Sequence, residues 1–223
     1  MQNCGGTEQS QIAGTGCDVA AEWPGPARDA ERLRVYSVVI QSKDRLLVAQ
    51  AQAGNLSAFD ELVRRHHGAV YCYLYRMCRN GADAEEMTQE SFVKAWEGLK
   101  GFRGASSFKT WLYRIATNLC INRLSRRKPL EPLTEEISAG RRYEPEESFR
   151  QQLLGECINR ALGSLPADQR SALVLSIYEE MSHDEIAAAM GRSPASVNML
   201  LYRARMSVRE SLADSRKRGL IRA

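Results

Sequence analysis

Apolar residues recur every three or four positions through most of the chain, which is the period of an amphipathic helix. The pattern predicts a first helix from Asp44 to the Gly54-Asn55 pair and a second that follows Ser57 and ends at Asn80-Gly81. The expected inward residues are Leu46, Leu47, Ala49 and Ala51 in the first helix, and Phe59, Leu62, Val63, Val70, Leu74 and Met77 in the second. No segment keeps the period of a strand, so an all-α fold is predicted.

Two further helices follow before the first break in composition. Asp83 stands where an N-cap is expected, with Glu86 three residues later at the spacing of a capping box. The third helix is predicted to end near Leu99, and a fourth to run from about Ser107 to Arg126 after a loop. The expected inward residues are Met87, Phe92, Val93 and Trp96 in the third helix, and Trp111, Leu112, Ile115, Ala116, Leu119 and Leu124 in the fourth.

Residues 129–150 contain three prolines and an excess of acid, which is typical of a linker between domains. Helical patterns resume near Phe149, break near Gly163 and restart at Pro166. The sequence therefore predicts two small helical domains, over 44–128 and 151–215, joined by an acidic linker. Residues 1–43 are interpreted as a mobile N-terminal extension and 216–223 as a basic tail.

The most specific local motif lies in the second domain. Ser182-His183-Asp184-Glu185 has the spacing of a capping box before a short helix over 186–190, and Gly191 suits a tight turn. Ser193 then caps a second helix with Pro194 at its first position. The inner residues of that helix are expected to be Val197, Leu200, Leu201 and Ala204. These constraints favour a helix-turn-helix over a generic helical hairpin, although Arg192 stands where an apolar residue is usual.

Length and composition are those of a soluble globular protein. The chain has 223 residues, of which 43% are hydrophobic and 26% charged, so one or two domains are expected. No apolar stretch is long enough for a membrane span, and the N-terminus lacks the basic and apolar regions of a secretory signal. A cytoplasmic location without membrane insertion is therefore expected.

Catalytic and metal chemistry are disfavoured by the residues present. Six cysteines are expected to be reduced and mostly buried, and the spacing of His66, His67, Cys72 and Cys78 matches no closed zinc-ligand set, so the histidines are interpreted as a hydrated pair. The sequence has no phosphate-binding glycine loop, no HExxH motif and no evident pairing of nucleophile and base. We therefore expect no enzyme activity, no cofactor and no metal.

Charge is concentrated in one segment. Residues 101–128 carry seven basic side chains and no acidic one, and no Asp or Glu occurs between Glu97 and Glu131. The same segment contains Phe102, Phe108, Trp111 and Tyr113. Cations that bind phosphates and flat rings that stack on bases are what a nucleic-acid strand requires. The alternative is a solvated helix face above a few core aromatics.

Two blocks together resemble an extracytoplasmic-function (ECF) sigma factor of the sigma-70 family. The first block comprises Asp83–Phe92, Ala95-Trp96, Phe102–Gly104 and Thr110–Asn118, and the second comprises Leu165-Pro166, Arg170, Glu185–Ala187, Val197 and Tyr202–Arg205. Both stand in the family's order, over roughly 44–215. The resemblance implies that 44–128 is sigma domain 2 and 151–215 is sigma domain 4. It also implies three partners: RNA polymerase core, promoter DNA and an anti-sigma factor.

The resemblance further implies roles for particular residues. Docking on the β′ clamp helices of the core falls to Asp83, Glu86, Gln89 and Glu90, and the β subunit is a further expected partner. Reading and melting of the −10 element fall to Phe102, Arg103, Ser107, Phe108, Lys109, Trp111, Arg114, Asn118, Asn122, Arg123, Arg126 and Arg127. Reading of the −35 duplex falls to Arg170, Ser193, Ser196, Asn198, Met199, Tyr202 and Arg203. The family commonly has a basic residue at position 198 and an Arg at position 200, which are Asn198 and Leu200 here.

Two other classes of protein remain as alternatives. A stand-alone helix-turn-helix regulator accounts for residues 182–205 but gives no role to the acid-free segment or to the acidic face of the third helix. An enzyme is the weaker alternative, because Cys120 and His183 have structural interpretations as a core thiol and a first-turn helix residue.

Overall fold

The computed structural model describes residues 43–126 and 146–217, and every regular element in these ranges is helical. The helices are α1 (residues 43–52), α2 (Leu56–Cys78), α3 (Gly81–Gly98), a 3-10 turn (Leu99–Gly101), α4 (Phe108–Arg126), α5 (Glu146–Ser164), α6 (Ala167–Ile177), α7 (His183–Met190) and α8 (Pro194–Lys217). The predicted all-α class is confirmed. The expectations for the N-terminal extension, most of the linker and the end of the basic tail lie outside the described residues.

Asparagines, rather than the predicted residues, start α2 and α3. The side chain of Asn55 accepts a hydrogen bond from the N–H of Ala58, so α2 begins before Ser57. Asn80 accepts from the N–H of Asp83 at 3.0 Å. Asp83 therefore lies in the first turn of α3, and the predicted capping box there is wrong. Each Asn side chain accepts from the backbone N–H three residues further on, which is the hydrogen bond of an N-cap.

The first bundle, residues 43–126, packs α1 to α4 around one apolar core. Fully buried side chains come from three helices and include Leu62, Leu74, Met77, Met87 and Leu112. Two predicted inward faces are wrong in part. From α1, Val48 turns inward, whereas Leu46 and Ala49 are exposed. Val93 and Trp96 of α3 are exposed as well. A helix spreads its side chains over 100° steps, so only part of an apolar run reaches one neighbour.

The second bundle, residues 154–217, contains the predicted helix-turn-helix. Ser182 and Glu185 form the reciprocal capping box, so α7 begins at His183 rather than at Ile186. Gly191 ends α7 with a φ of 63°, a left-handed conformation that favours glycine. The buried residues of α8 are Val197, Leu201, Ala204 and Ser215.

The two bundles also pack directly against each other. Tyr73 of α2 contributes the central contact, since its hydroxyl lies 2.8 Å from both Thr117 Oγ1 of α4 and Ser171 Oγ of α6. All three side chains are buried. In the same interface between the bundles, the guanidinium of Arg76 in α2 lies 4.0 Å from the ring centroid of Tyr178. The contact between the bundles is thus a buried polar interface as well as an apolar one.

Candidate nucleic-acid interface

Three aromatic rings pack beneath the loop that joins α3 to α4. The ring centroids of Phe102 and Trp111 are 4.8 Å apart, and those of Phe108 and Trp111 are 5.9 Å apart. Trp111 also covers Gly98, where an added Cβ would lie 3.3 Å from the indole. Phe108 is buried, whereas Phe102 and Trp111 are half-buried. The rings therefore form a packed base for the loop, and Phe108 presents no face to solvent.

The loop itself exposes a short basic segment between two fixed ends. Arg103 and Gly104 are exposed, and Gly104 has a φ of 70°. At the far end, Ser107 Oγ accepts a hydrogen bond from the N–H of Thr110 at 3.0 Å and lies 2.8 Å from Thr110 Oγ1. Ser107, predicted to contact DNA, is thus engaged in capping α4.

The outward side of α4 is an open polar edge. Arg114, Asn118, Asn122 and Arg126 are all exposed and follow one another at intervals of four residues. Residues at that spacing lie above one another on a helix, so the four side chains line one edge about 18 Å long. Arg127, assigned to the same surface, lies outside the described residues.

The acidic edge of α3 lies beside this basic edge of α4. Arg123 bridges the two, with its guanidinium 2.6 Å from Glu86 and 3.5 Å from Asp83. Its hydrogen bond holds the pKa of Glu86 below the ordinary value, so Glu86 is ionised at neutral pH. Further along α3, the amide of Gln89 donates to Glu85 at 3.0 Å, and Glu90 lies 3.5 Å from Lys94. The predicted core-docking residues therefore share one edge, which remains largely exposed and acidic.

The outer face of α8 is open to solvent. Ser196 is half-buried. Five of the other predicted −35 residues are exposed: Ser193, Asn198, Met199, Tyr202 and Arg203. The hydroxyl of Ser193 accepts from the N–H of Ser196, as predicted for an N-cap. Arg205 and Arg209 are also exposed and were not predicted. The sequence signal that could have identified them is the three arginines within residues 203–209.

Arg192, the departure from the usual helix-turn-helix pattern, is accommodated on the surface. Its guanidinium is hydrogen-bonded to the carboxylate of Asp168 in the first turn of α6. Its backbone N–H donates to Ala187 O at 3.0 Å and helps to end α7. The ion pair replaces the apolar contact that the pattern leads one to expect.

Arg170 does not lie on the exposed outer face of α8 with the other predicted −35 residues. Its guanidinium donates to the carbonyl oxygens of Met77, Gly163 and Leu165, the last two at 2.7 and 3.0 Å. Burial lowers its pKa below the ordinary value. In this structure Arg170 joins α6 to the ends of α2 and α5, and its assignment to DNA stays a prediction.

Lys109 is likewise engaged between the bundles. Its ammonium donates to the backbone carbonyl of Glu179 at 2.9 Å and lies 3.4 Å from the carboxylate of the same residue. Sequence analysis missed Tyr73, Ser171 and Glu179. Nothing local marks them, since their partners lie far away along the chain.

The described residues contain no group of three or more side chains suited to hold a metal ion. His66, predicted to be hydrated, is buried instead and lies 2.8 Å from the carboxylate of Asp44. None of the described helices is long and apolar enough to cross a membrane.

The helix-turn-helix, and the acid-free α4 beside an acidic edge of α3, are features of a helical DNA-binding protein with two regions. Residues 62–129 match the family model of sigma-70 region 2, and residues 155–208 match that of sigma-70 region 4. The chain therefore belongs to the sigma-70 family, within its ECF group. The main prediction is confirmed over a stand-alone regulator.

The alignments with two curated relatives cover nearly the whole length of each relative. The RNA polymerase sigma-H factor of Pseudomonas aeruginosa is 32% identical over 186 residues, which are 78% of this chain and 96% of that one. The ECF RNA polymerase sigma-E factor of Escherichia coli K12 is 34% identical over 193 residues, 82% of this chain and 98% of that one.

Among solved structures, CnrH in complex with the cytosolic domain of CnrY has a TM-score of 0.60 and 29% identity, over 78% of this chain and 98% of CnrH. The sigma factor RpoE of Bartonella quintana, in complex with the anti-sigma factor NepR, shares the fold at 21% identity and a TM-score of 0.52, over 70% of this chain and 96% of that one.

Proposed function

We propose that this protein docks on RNA polymerase core through α3, reads the −35 duplex with α8, and captures the melted −10 strand with the loop over 101–108 and α4. The observation that carries the proposal is the adjacency of opposite charges on the first bundle. An acidic edge suited to a basic protein surface lies beside an acid-free loop and helix suited to a nucleic-acid strand.

Core docking is assigned to the acidic edge of α3. Glu86→Lys with Glu90→Lys should abolish binding to purified core, because two attractive charges become repulsive. Glu86 also holds Arg123, so Glu90→Lys alone separates the docking effect from the loss of that ion pair. Glu210→Lys is the matched control, since Glu210 is exposed on α8, away from this edge. Native core affinity in the double variant, with helicity retained, would contradict the assignment.

Capture of the −10 strand is assigned to the loop and the open edge of α4. Extruding a base from a duplex costs a few kcal/mol, and stacking and hydrogen bonds must offset it. Arg114 and Arg126 suit phosphates, while Asn118 and Asn122 lie between them with amides that suit base edges. Phe102 and Trp111 are half-buried in this structure, and Arg103 adds an exposed cation in the loop.

The −35 element is assigned to the outer face of α8. A helix of this diameter fits the major groove, and its first turns carry the residues that reach base edges. Tyr202 and Arg203 are both exposed on that face. Asn198 stands where the family commonly has a basic residue, so fewer phosphate contacts are expected here.

Binding both elements at once requires the contact between the bundles to open. The −10 and −35 elements are about 25 base pairs apart, which is about 85 Å along a duplex at 3.4 Å per pair. Two bundles joined by a hydrogen bond from Lys109 to Glu179 cannot span that distance. The compact arrangement is therefore assigned to the protein away from its promoter.

A protein inhibitor of the anti-sigma class is the remaining proposed partner. Of the solved structures described above, RpoE is bound to the anti-sigma factor NepR, and CnrH is bound to the cytosolic domain of CnrY. Because polymerase works on the chromosome, the proposed location is the cytoplasm. Affinity purification of the tagged protein from its own cells, followed by release with excess core, tests for such a partner.

The function as a whole is tested by run-off transcription with purified core on a genomic library. We expect a small set of promoters that share one −35 and one −10 sequence. The gel-shift comparison is the control: the protein alone should not bind those duplexes specifically, whereas the holoenzyme should. Specific, tight binding by the protein alone would favour a stand-alone regulator.

A further inference from the structure

Gln52, near the end of α1, is bonded to the backbone of the loop that follows α3. Its side-chain amide nitrogen donates to Leu99 O at 2.9 Å and to Phe102 O at 2.8 Å. Both amide protons are thereby used, and the two acceptors lie at either end of the 3-10 turn. We propose that Gln52 is a positioning residue for −10 recognition, which fixes the start of the loop over 102–107 so that its tip meets the strand in one conformation.

The loop needs such a support because it has little structure of its own. Phe102 N–H donates to Leu99 O at 3.1 Å, and beyond this turn no regular element occurs until α4. The ring of Phe102 is held by Trp111, but ring packing does not fix the direction of a backbone carbonyl. Two hydrogen bonds to those carbonyls do fix it. With Ser107 capping α4 at the other end, both ends of the loop are fixed and only its tip is open.

The rest of α1 is anchored independently of Gln52. At its start, the buried carboxylate of Asp44 lies 2.8 Å from His66 Nε2 and 3.3 Å from the guanidinium of Arg65. Val48 and Ala51 are buried in the core of the first bundle. Removing the amide of Gln52 therefore leaves α1 docked on α2 and releases the loop. A fixed loop binds its strand without first having to be ordered, which raises both affinity and selectivity.

The inference rests on the proposed role of the loop in −10 recognition. Gln52→Ala removes both donors, and Gln52→Glu replaces them with a carboxylate that faces two carbonyl oxygens. Gln52→Lys restores a donor group on a side chain that is one bond longer. Gln50→Ala is the matched control, because Gln50 is exposed on the same helix. Binding is measured with holoenzyme and a promoter recovered by run-off transcription.

Each holoenzyme is tested on the isolated non-template −10 strand, on a strand with the −10 bases scrambled, and on the full duplex. We expect Gln52→Ala to reduce discrimination between the two strands about tenfold, Gln52→Glu at least as much, and Gln52→Lys to recover most of it. Core affinity and protection of the −35 duplex should stay unchanged. A variant that is only less stable would not lose base discrimination well below its unfolding temperature.

Two results overturn the inference. The first is strand discrimination in Gln52→Ala that equals that of Gln50→Ala. The second is a loss of core affinity in Gln52→Ala as large as its loss of strand discrimination. Arg103→Ala at the loop tip separates this failure from failure of the proposed function. If Arg103→Ala also leaves binding of the −10 strand unchanged, the loop does not read the strand. If Arg103→Ala weakens that binding and Gln52→Ala does not, only the role of Gln52 is refuted.

Discussion

The two helices proposed to meet DNA, α4 and α8, are embedded to very different degrees. Seven residues of α4 are buried, on sides that face both its own bundle and the other one. Only four residues of the longer α8 are buried, and the first three follow a single stripe. α4 is thus the centre of the molecule, whereas α8 presents one face to the core and leaves the rest to solvent.

The difference follows from what each helix is proposed to read. A duplex groove displays its base edges already, so a reader needs only an exposed helix with the right side chains. A single strand has no fixed shape, and its reader has to supply a rigid surface. The aromatic base, the cap at Ser107 and the hydrogen bonds of Gln52 provide that rigidity around α4.

The largest expected effect is a loss of stability from a substitution in α4, compared with a substitution in α8 that weakens promoter binding alone. Trp111→Ala should lower the free energy of unfolding by about 3 kcal/mol, because the indole packs on Gly98, Phe102 and Phe108. Tyr202→Ala on α8 should change it by less than about 0.5 kcal/mol and still weaken promoter binding. Urea unfolding and holoenzyme binding measure the pair. Equal losses of stability would refute the contrast between the helices.

The pH dependence of stability should report on the buried side of α4. Burial is the main cause that raises the pKa of Tyr113, and the negative charge of Glu179 adds to it. Burial also raises the pKa of Cys120 to about 12. Since these groups lose protons more easily when unfolded, stability is complete below about pH 9 and falls above it, by about 1.4 kcal/mol per pH unit for each group.

Tyr113→Phe isolates one of these groups. The variant should unfold like the wild type at pH 7, and its stability should decline less steeply between pH 10 and 11. Tyr202→Phe is the control, because Tyr202 is exposed. An identical decline in both variants would show that Tyr113 ionises as readily in the folded protein as in the unfolded one.

The contact between the bundles should contribute a moderate amount to stability. Tyr73→Phe removes a buried hydroxyl that lies between Thr117 and Ser171, and it should lower the free energy of unfolding by about 1 kcal/mol. Tyr75→Phe is the matched control, since Tyr75 lies on the same helix and is exposed. Unfolding by urea at pH 7 provides the measurement. A Tyr73→Phe variant as stable as the control would falsify a structural role for this hydroxyl.

The smallest expected effect concerns the phosphate contacts of α8. Asn198→Lys should tighten holoenzyme binding a few-fold and steepen its salt dependence by nearly one unit, with the preferred −35 sequence unchanged. Leu200→Arg should gain less, because Leu200 is half-buried against the core. Promoter affinity of the wild-type and variant holoenzymes, measured across a salt series, tests both expectations. A changed −35 preference in Asn198→Lys would mean that Asn198 reads a base edge.

Local sequence sufficed wherever the determining contacts are close in the chain. The capping box at Ser182, the turn at Gly191 and the cap at Ser193 all form within about five residues, so their spacing alone predicted the helix-turn-helix. The start of α3 was predicted wrongly because Asn80 and Asp83 both suit an N-cap, and only the path of the chain after Arg79 selects between them.

The sequence by itself determined the helical class, the helix-turn-helix, the acid-free segment and the acidic edge of α3, since each depends on periodicity or on local charge. Only the tertiary structure decided which of the predicted DNA-binding cations are open. Arg114 and Arg126 are exposed, whereas Lys109 and Arg170 are bonded to carbonyl oxygens across the contact between the bundles. Those acceptors are 70 and 93 residues away in the chain. A backbone carbonyl is present at every residue, so no sequence pattern marks the one that a distant cation will find.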